Sequence, residues 1–307
     1  MSAFDAVLLV AFGGPTASHE IRPFLERVAQ GRLIPPERLL EVARHYERMP
    51  SGRSPLNELT FAQARALEAE LAAGGAALPV FVGMRNWHPF LHDTLAAMAD
   101  KGLTRAVGVI LSAFRTEASW ERYQQDVADA RARVAGAPAV AFAGAWLAHP
   151  QFVDAVADRA RAAFAGVPAA ERGRTPLVFT AHSVPVAMAG ASPYVADFTT
   201  ASRAVAERLG HTRWSLAYQS RSGSPGEPWL GPDVGEELAR LADAGERHAV
   251  VTPIGFLCDH VEVLYDLGVE ARELAAARGL TMHRAAAVNA HPAFIAMLAD
   301  LVRSTGR

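Results

Sequence analysis

Three acidic residues at helical spacing follow an apolar segment in the last third of the chain. Glu262, Asp266 and Glu270 are each four residues apart, so on a helix they form a single stripe. Like charges at this spacing cost roughly 0.2–0.5 kcal/mol of helix stability per pair. We therefore expect a cation, or the transfer of protons, to compensate the stripe. Gly268 could end the helix early and leave Glu270 outside it.

An imidazole stands at the end of a second apolar segment. His182 follows the apolar residues 177–181 and precedes Ser183. Imidazole has a pKa near 6.5, so His182 could accept a proton or bind a metal. A structural histidine fits the position alone equally well. A Ser–His hydrolase that uses Ser183 is a weaker alternative, because the chain contains no Gly-x-Ser-x-Gly motif.

Two further segments carry side chains suited to an anionic or aromatic ligand. Arg85 and Trp87 lie in a turn that follows the apolar residues 80–84. Arg85 could bind a carboxylate there, although a structural turn with a stacked tryptophan fits equally well. Trp229 lies in the polar, Gly- and Pro-rich segment 218–231, which is either a functional loop or a surface connection.

Composition argues against several classes of protein. The chain has 307 residues, half of them hydrophobic, which is enough for a large core and one or two domains. A net charge of −2 and the lack of a basic tract argue against nucleic acid as a partner. Neither a dinucleotide-binding motif nor a P-loop occurs, so no nucleotide cofactor is expected.

Cysteine content and hydropathy predict the cellular setting. Cys258 is the only cysteine, so no disulfide and no cysteine-built metal cluster can form within one chain, which is typical of the reducing cytoplasm. The first apolar segment, 6–12, lacks a preceding basic region and predicts a strand rather than a signal peptide. No apolar segment approaches the length of a membrane span, about 20 residues.

The elements that must position these residues alternate along the chain. Apolar, strand-like segments are separated by stretches rich in Ala, Leu, Glu and Arg, which predicts parallel sheets with helical crossovers. The predicted strands include 7–12, 80–84, 106–111, 177–181, 216–218 and 249–256.

The chain also contains an internal repeat. Residues 148–152 and 290–294 share the pattern Ala-His-Pro-x-Phe at an offset of 142 residues. Agreement of many pairs in one register predicts a duplicated unit. At the same offset Asp158 aligns with Asp300, Arg161 with Arg303, Phe114 with Phe256, Tyr123 with Tyr265, and Arg105 with Arg247.

Duplication predicts both the fold and an asymmetric cleft. We expect an α/β protein of two Rossmann-like halves, each a parallel sheet flanked by helices, with a cleft between them. The expected units are 1–147, then 148–288 with both reactive residues, then 289–307 as a C-terminal helix that packs back on the first half.

The repeat places different side chains at matching positions of the two halves. It aligns His182 with Phe12 and Glu262 with Trp120. One wall of the cleft would then be polar and reactive and the other apolar, as a large flat ligand requires.

Together these segments resemble the ferrochelatase family over nearly the whole chain. The resemblance implies an enzyme that inserts Fe²⁺ into a porphyrin, built as two lobes around a cleft. The matching segments, in order, are 8–15, 54–56, 83–85, 180–185, 218–220, 229–232 and 253–265.

The resemblance also implies roles for the reactive residues. His182 and Glu262 would form the catalytic pair, and with Asp266 and Glu270 they would bind the metal. Metallation releases two pyrrole protons, which His182 and Glu262 could accept, and carboxylates and imidazole both suit iron. Fe²⁺ would be a substrate, with no prosthetic group and no iron–sulfur cluster. A cytoplasmic monomer without an integral membrane segment is expected.

The resemblance favours coproporphyrin III, because the chain shows no C-terminal extension or anchor and looks like the soluble bacterial forms. The residues implied to bind this porphyrin with its four propionates are Phe12, Arg32, His45, Arg53, Ser54, Arg85, Trp87, Tyr123, Ser183 and Trp229.

Two departures from the family pattern leave protoporphyrin IX open as the substrate. Phe12 stands where the soluble enzymes often carry a tyrosine, and Ala29 or Gln30 and His45 stand where basic residues are expected. The same residues would also suit a chelatase for another tetrapyrrole or metal, or a tetrapyrrole carrier without turnover.

Overall fold

The computed structural model describes residues 4–30, 36–49, 53–222 and 226–305. Its strands are β1 (Ala6–Ala11), β2 (Val80–Met84), β3 (Arg105–Ile110), β4 (Ala139–Phe142), β5 (Leu177–His182), β6 (Trp214–Gln219), β7 (His248–Thr252) and β8 (Thr281–Arg284). Its α-helices are α1 (Ile21–Ala29), α2 (Pro36–Glu47), α3 (Leu56–Ala73), α4 (Leu91–Asp100), α5 (Arg122–Ala132), α6 (Pro150–Phe164), α7 (Val186–Gly190), α8 (Tyr194–Leu209), α9 (Val234–Asp243), α10 (Arg272–Ala277) and α11 (Pro292–Ser304). Two π-helices span Glu117–Glu121 and Glu262–Ala271, and a 3₁₀ turn spans Ser18–Glu20.

The strands form two parallel four-stranded sheets with the same connectivity. The first has the order β2-β1-β3-β4 and the second β6-β5-β7-β8. The central strands β1 and β5 are almost fully buried apolar segments, as strands covered by helices on both faces must be. The protein is therefore two Rossmann-like halves, as the sequence predicted.

The predicted repeat is present in the structure. β4 and α6 begin at residues 139 and 150, and β8 and α11 begin at residues 281 and 292. Both helices start at a proline that follows a histidine N-cap. The Nδ1 atoms of His149 and His291 accept hydrogen bonds from the backbone N–H two residues later, at 3.3 and 3.2 Å.

One predicted strand is shorter than expected. β7 ends at Thr252, whereas the apolar segment continues to Phe256. Pro253 has no N–H to donate to a neighbouring strand, so the sheet cannot continue through it. Residues 253–258 instead leave the sheet as an apolar turn that forms part of the cavity wall.

The last helix of each repeat covers the other half of the molecule. α6 packs on α8 and β7 of the second half, whereas α11 packs on α3 and β3 of the first half, and α6 and α11 pack against each other. Phe152 and Phe294, which are repeat equivalents, are both fully buried there with ring centroids 6.3 Å apart. Trp146 contacts both rings. Separating the halves would expose this cluster.

The same helix pair carries two reciprocal histidine–carboxylate contacts. His149 Nε2 lies 3.7 Å from Asp300 Oδ2, and His291 Nε2 lies 3.6 Å from Asp158 Oδ2. The histidine before each helix thus contacts an aspartate of the other helix, and the two aspartates are repeat equivalents. Within the described ranges, no helix combines the length and apolar character needed to cross a bilayer.

Phe152→Ala should lower the free energy of unfolding by about 3–5 kcal/mol, because it opens a cavity in the contact between α6 and α11. Urea denaturation followed by circular dichroism measures the loss. Phe61→Ala, which truncates a phenylalanine that is already 36% exposed, is the matched control and should cost markedly less. Equal losses of unfolding free energy in the two variants would contradict a core where α6 and α11 pack together.

Candidate active site

The carboxyl ends of both sheets open into one cavity of about 730 Å³. Residues that follow β1, β5, β6 and β7 all line it, as expected for ligand sites in parallel α/β sheets. Of the residues predicted from the sequence, those in the cavity wall are Phe12, His45, Ser54, Arg85, Tyr123, His182, Ser183, Trp229, Glu262, Asp266 and Glu270. Arg32 lies outside the described residues.

His182 is held at the end of β5 by two contacts of its own segment. Its carbonyl oxygen accepts a hydrogen bond of 2.7 Å from the Tyr194 hydroxyl. Its Nδ1 lies within hydrogen-bonding distance of the Ser183 carbonyl oxygen. Because a carbonyl only accepts, the neutral ring carries its proton on Nδ1. Nε2 is then the nitrogen with a lone pair for a proton or a metal ion.

Ser183 is not arranged as a nucleophile. Its hydroxyl donates a 2.8 Å hydrogen bond to the carbonyl oxygen of Leu230. The hydroxyl therefore anchors the segment that carries Trp229, which also bridges to Pro185 through the backbone. The Ser–His hydrolase alternative has no support in this geometry.

Glu262 begins the longer π-helix, and both polar groups of its backbone are hydrogen-bonded. Gln219 Nε2 donates to the Glu262 carbonyl oxygen at 2.7 Å, and the Glu262 N–H donates to His260 Nδ1 at 3.3 Å. Burial lowers the pKa of His260, with the nearby Glu262 charge opposing this effect, so His260 is neutral at neutral pH.

The helix does not take the early end at Gly268 that the sequence left open. The π-helix runs through Gly268 to Ala271 and continues into α10. The buried side chains of Val263 and Leu267 pack it against the second sheet, and this packing outweighs the low helix propensity of glycine. Glu270 therefore belongs to the stripe.

The acidic stripe runs from the cavity to the surface and meets a histidine of the first half. Side-chain exposure rises from 14% at Asp266 to 53% at Glu270. His45 Nδ1 lies 4.0 Å from Asp266 Oδ1, and His45 Nε2 lies 3.9 Å from Glu270 Oε1. The Ser220 hydroxyl donates to the other oxygen of Asp266. A protonated His45 would supply the compensating cation that the sequence requires.

Tyr46 belongs to this site, although sequence reasoning missed it. Its ring is 5% exposed, and burial together with the charges of Glu262 and Asp266 raises the pKa of its hydroxyl far above the usual range. The phenol therefore stays protonated beside the acidic stripe. Its position next to His45 on α2 was the only available signal.

Aromatic side chains form the opposite wall. Phe12 is 41% exposed to the cavity, and its ring packs edge-on against Phe24 at 6.4 Å. Phe24 in turn contacts Tyr46 and Trp87. Trp87 thus supports the wall from behind, and its indole Nε1 donates to Glu20 Oε2 at 3.0 Å. Phe12 thus lies in the cavity wall as predicted, whereas Trp87 lies behind it. Trp120, which the repeat aligns with Glu262, does not line the cavity and packs against the core of the first half.

Arg85 is already paired with protein groups. Its Nε lies 2.5 Å from Asp126 Oδ2, and its guanidinium lies 4.1 Å from the centroid of the Tyr123 ring. The sequence suggested that Arg85 binds a carboxylate of the ligand. In the structure the Asp126 carboxylate already neutralises the Arg85 guanidinium. Arg53 is half exposed and lies 3.5 Å from Glu58, outside the cavity wall.

Comparison with known proteins identifies a matching family, similar relatives and a shared fold. The sequence model of the ferrochelatase family matches residues 4–305. A coproporphyrin III ferrochelatase of Mycolicibacterium smegmatis is 43% identical over 304 residues, which cover 98% of this chain and 89% of that protein. A ferrochelatase of Rhodopirellula baltica is 41% identical over 302 residues, covering 98% and 86%. The solved structure of SirB from Bacillus subtilis with Fe³⁺ superposes with a TM-score of 0.61 at 13% identity, over 97% of this chain and 94% of that one, which shows a shared fold.

Cys258 should be inert in the folded protein. Its side chain is buried in the cavity wall, and burial raises the pKa of the thiol to about 12, so it stays protonated at pH 8. We expect Ellman's reagent to react with one thiol per chain in denaturant and with almost none in native buffer. Rapid stoichiometric labelling of the native protein at pH 8 would contradict this burial.

Proposed function

The chain belongs to the ferrochelatase family, and we propose that it inserts Fe²⁺ into coproporphyrin III in haem biosynthesis, with release of the two pyrrole protons. The observation that carries the proposal is the construction of the cavity. A histidine and a carboxylate stripe form one wall, and the exposed ring of Phe12 lies on the other. A flat macrocycle between them would present its central nitrogens to the reactive wall.

We assign the proton transfers to the two residues at the inner end of this wall. Nε2 of His182 has a free lone pair because Nδ1 is directed at the Ser183 carbonyl oxygen. The Glu262 carboxylate is the second acceptor, held in place through its own backbone by Gln219 and His260. Two pyrrole protons thus meet two bases.

We assign iron delivery to the acidic stripe. Carboxylate oxygens are suitable ligands for hydrated Fe²⁺, and imidazole binds iron as well. The stripe leads from the exposed Glu270 past the mostly buried Asp266 to Glu262. His45 lies beside the outer two carboxylates, so its protonation would compete with a metal ion there.

The choice of coproporphyrin III rests on relatives that carry this substrate in their names. His45, Tyr46 and Ser54 supply polar groups in the cavity wall that could hold propionates. Protoporphyrin IX is the second candidate, since Phe12 presents an apolar surface and Arg85 is already paired with Asp126.

We further propose a cytoplasmic monomer that needs no prosthetic group, no iron–sulfur cluster and no nucleic acid. One chain supplies both walls of the cavity, and Cys258 alone cannot hold a cluster. The net charge of −2 offers no electrostatic attraction to nucleic acid.

An anaerobic metallation assay tests the function. Purified protein is mixed with Fe²⁺ and either coproporphyrin III or protoporphyrin IX, and the loss of porphyrin fluorescence is followed. We expect turnover with a higher kcat/KM for coproporphyrin III. Preference for protoporphyrin IX would favour the second candidate, whereas tight binding of either porphyrin without turnover would favour a tetrapyrrole carrier.

His182→Ala should lower kcat by about 100- to 10,000-fold, the usual contribution of a proton acceptor. Porphyrin affinity, measured by fluorescence quenching without metal, should stay close to that of the unmodified protein. His211→Ala is the matched control, because His211 contacts the Thr175 carbonyl oxygen and lies outside the cavity wall. Loss of porphyrin binding in His182→Ala would instead indicate a structural histidine.

Asp266→Asn should raise the apparent KM for Fe²⁺ more than the KM for porphyrin, because it removes a charge from the proposed iron route but leaves its shape. Glu273→Gln on α10 is the control, since this exposed carboxylate lies outside the cavity wall. Initial rates over a matrix of both substrates give the two constants. An equal effect on both would exclude a role in iron delivery.

A further inference from the structure

A contact between the two halves lies directly behind the cavity. Arg115, in the segment after β3 of the first half, pairs with Asp197 in the first turn of α8 in the second half. The Nε–Oδ2 distance is 2.8 Å and the Nη2–Oδ1 distance is 2.9 Å, and the Arg115 N–H is 3.3 Å from Oδ2. Asp197 is only 5% exposed. Bidentate, charge-assisted pairs of this kind are strong and fix a geometry.

Aromatic packing surrounds the ion pair. Phe114, the residue before Arg115, is buried against two rings of α8. Its centroid lies 6.0 Å from that of Tyr194 in an edge-on arrangement and 5.4 Å from that of Phe198. We call Phe114, Arg115, Tyr194, Asp197 and Phe198 the interlobe clasp. Its apolar part lowers the local dielectric and strengthens the charged part.

One side of the interlobe clasp reaches the reactive wall. The Tyr194 hydroxyl donates to the His182 carbonyl oxygen at 2.7 Å. Phe198 contacts Tyr218 at 5.6 Å. The residue after Tyr218 is Gln219, which holds the carbonyl oxygen of Glu262. The first turns of α8 therefore support both proposed proton acceptors through their backbones.

The other side of the interlobe clasp reaches the wall of the first half. Thr116 follows Arg115 and caps the shorter π-helix. Its hydroxyl accepts a hydrogen bond from the Ser119 N–H at 3.1 Å, and the Ser119 hydroxyl accepts one from the Thr116 N–H at 2.8 Å. Thr116 and Ser119 both line the cavity, whereas Arg115 does not.

We propose that Arg115 and Asp197 are positioning residues that set the separation of the two cavity walls. A porphyrin held between the walls is metallated only if its central nitrogens lie at the right distance from His182 and Glu262. Displacements of about 1 Å can lower the rate of such a reaction by about 100-fold. Arg115 acts through the protein and touches no substrate, because its guanidinium is taken up by Asp197. The inference rests on the proposed function for its kinetic part only.

A second ion pair with a buried carboxylate provides a matched control. Arg240 and Glu237 also form a bidentate pair, with both Nε–Oε2 and Nη2–Oε1 at 2.7 Å, and Glu237 is 4% exposed. Both residues belong to α9 within the second half. Arg240→Met therefore removes a similar pair without touching the contact between the halves.

The kinetic test compares Arg115→Met, Asp197→Asn and their double variant with Arg240→Met. We expect each single variant to lower kcat/KM for porphyrin about 10- to 100-fold. The double variant should lose no more than the worse single variant, because both act on one contact. The fold-loss should be the same for coproporphyrin III and protoporphyrin IX. Arg240→Met should retain kcat/KM within about twofold.

Three kinetic outcomes would overturn the proposal. Equal losses of kcat/KM in Arg115→Met and Arg240→Met would show that the effect is general destabilisation. A loss confined to coproporphyrin III would make Arg115 a contact for a substrate carboxylate. Arg115→Lys, which keeps the charge but loses the bidentate geometry, covers the case in which Arg115→Met does not fold, and an unchanged kcat/KM in Arg115→Lys would also overturn it.

A structural test does not depend on enzymatic activity. Hydrogen–deuterium exchange should become faster in Arg115→Met at residues 116–121 and in the first turns of α8, and should stay unchanged at both places in Arg240→Met. An unchanged exchange rate at both places in Arg115→Met would contradict a role for the interlobe clasp, even if the enzyme is active. Faster exchange in a protein that metallates no porphyrin would support the clasp and reject the proposed function instead.

Discussion

The packing of α6 and α11, each against the half of the molecule opposite its own repeat, is the constraint on which the rest of the molecule depends. Each helix is the last element of one repeat, and each packs on the sheet of the other half. Phe152 and Phe294 are fully buried where the helices cross. The two halves therefore share one core and cannot open independently, in contrast to domains joined only by a linker. Both walls of the cavity, built from the carboxyl ends of the two sheets, are consequently attached to this shared core.

The reactive groups of this cavity stand at positions where the two repeats carry different side chains. His182 occupies the position of Phe12, and Glu262 occupies the position of Trp120. Phe12, His182 and Glu262 line the cavity, whereas Trp120 packs against the core of the first half. Of these aligned side chains, only the two of the second half can accept protons. In the proposed function, one wall would bind a flat apolar surface while the other would react with it.

Electrostatics explain why the reactive wall needs support from several elements. Three carboxylates on one helix face repel one another. Ser220 donates to Asp266, His45 lies within 4.0 Å of the outer carboxylates, and Gln219 anchors the first turn. These partners come from the end of β6, the residue that follows it, and α2, so the acidic stripe is stable only in the assembled protein. The interlobe clasp adds a similar long-range support behind His182.

Local sequence determined the parallel strands, the 142-residue repeat and the positions of His182 and Glu262, because apolar periodicity and short motifs are encoded within a few neighbouring residues. β8, with the sequence Thr-Met-His-Arg, carries no such apolar pattern and exists because it pairs with β7. Tertiary structure alone decided that the acidic helix is a π-helix that continues through Gly268, and that the charge of Arg85 is directed at Asp126. These features depend on contacts between residues distant in the chain, which are brought together only when each sheet packs against its own helices.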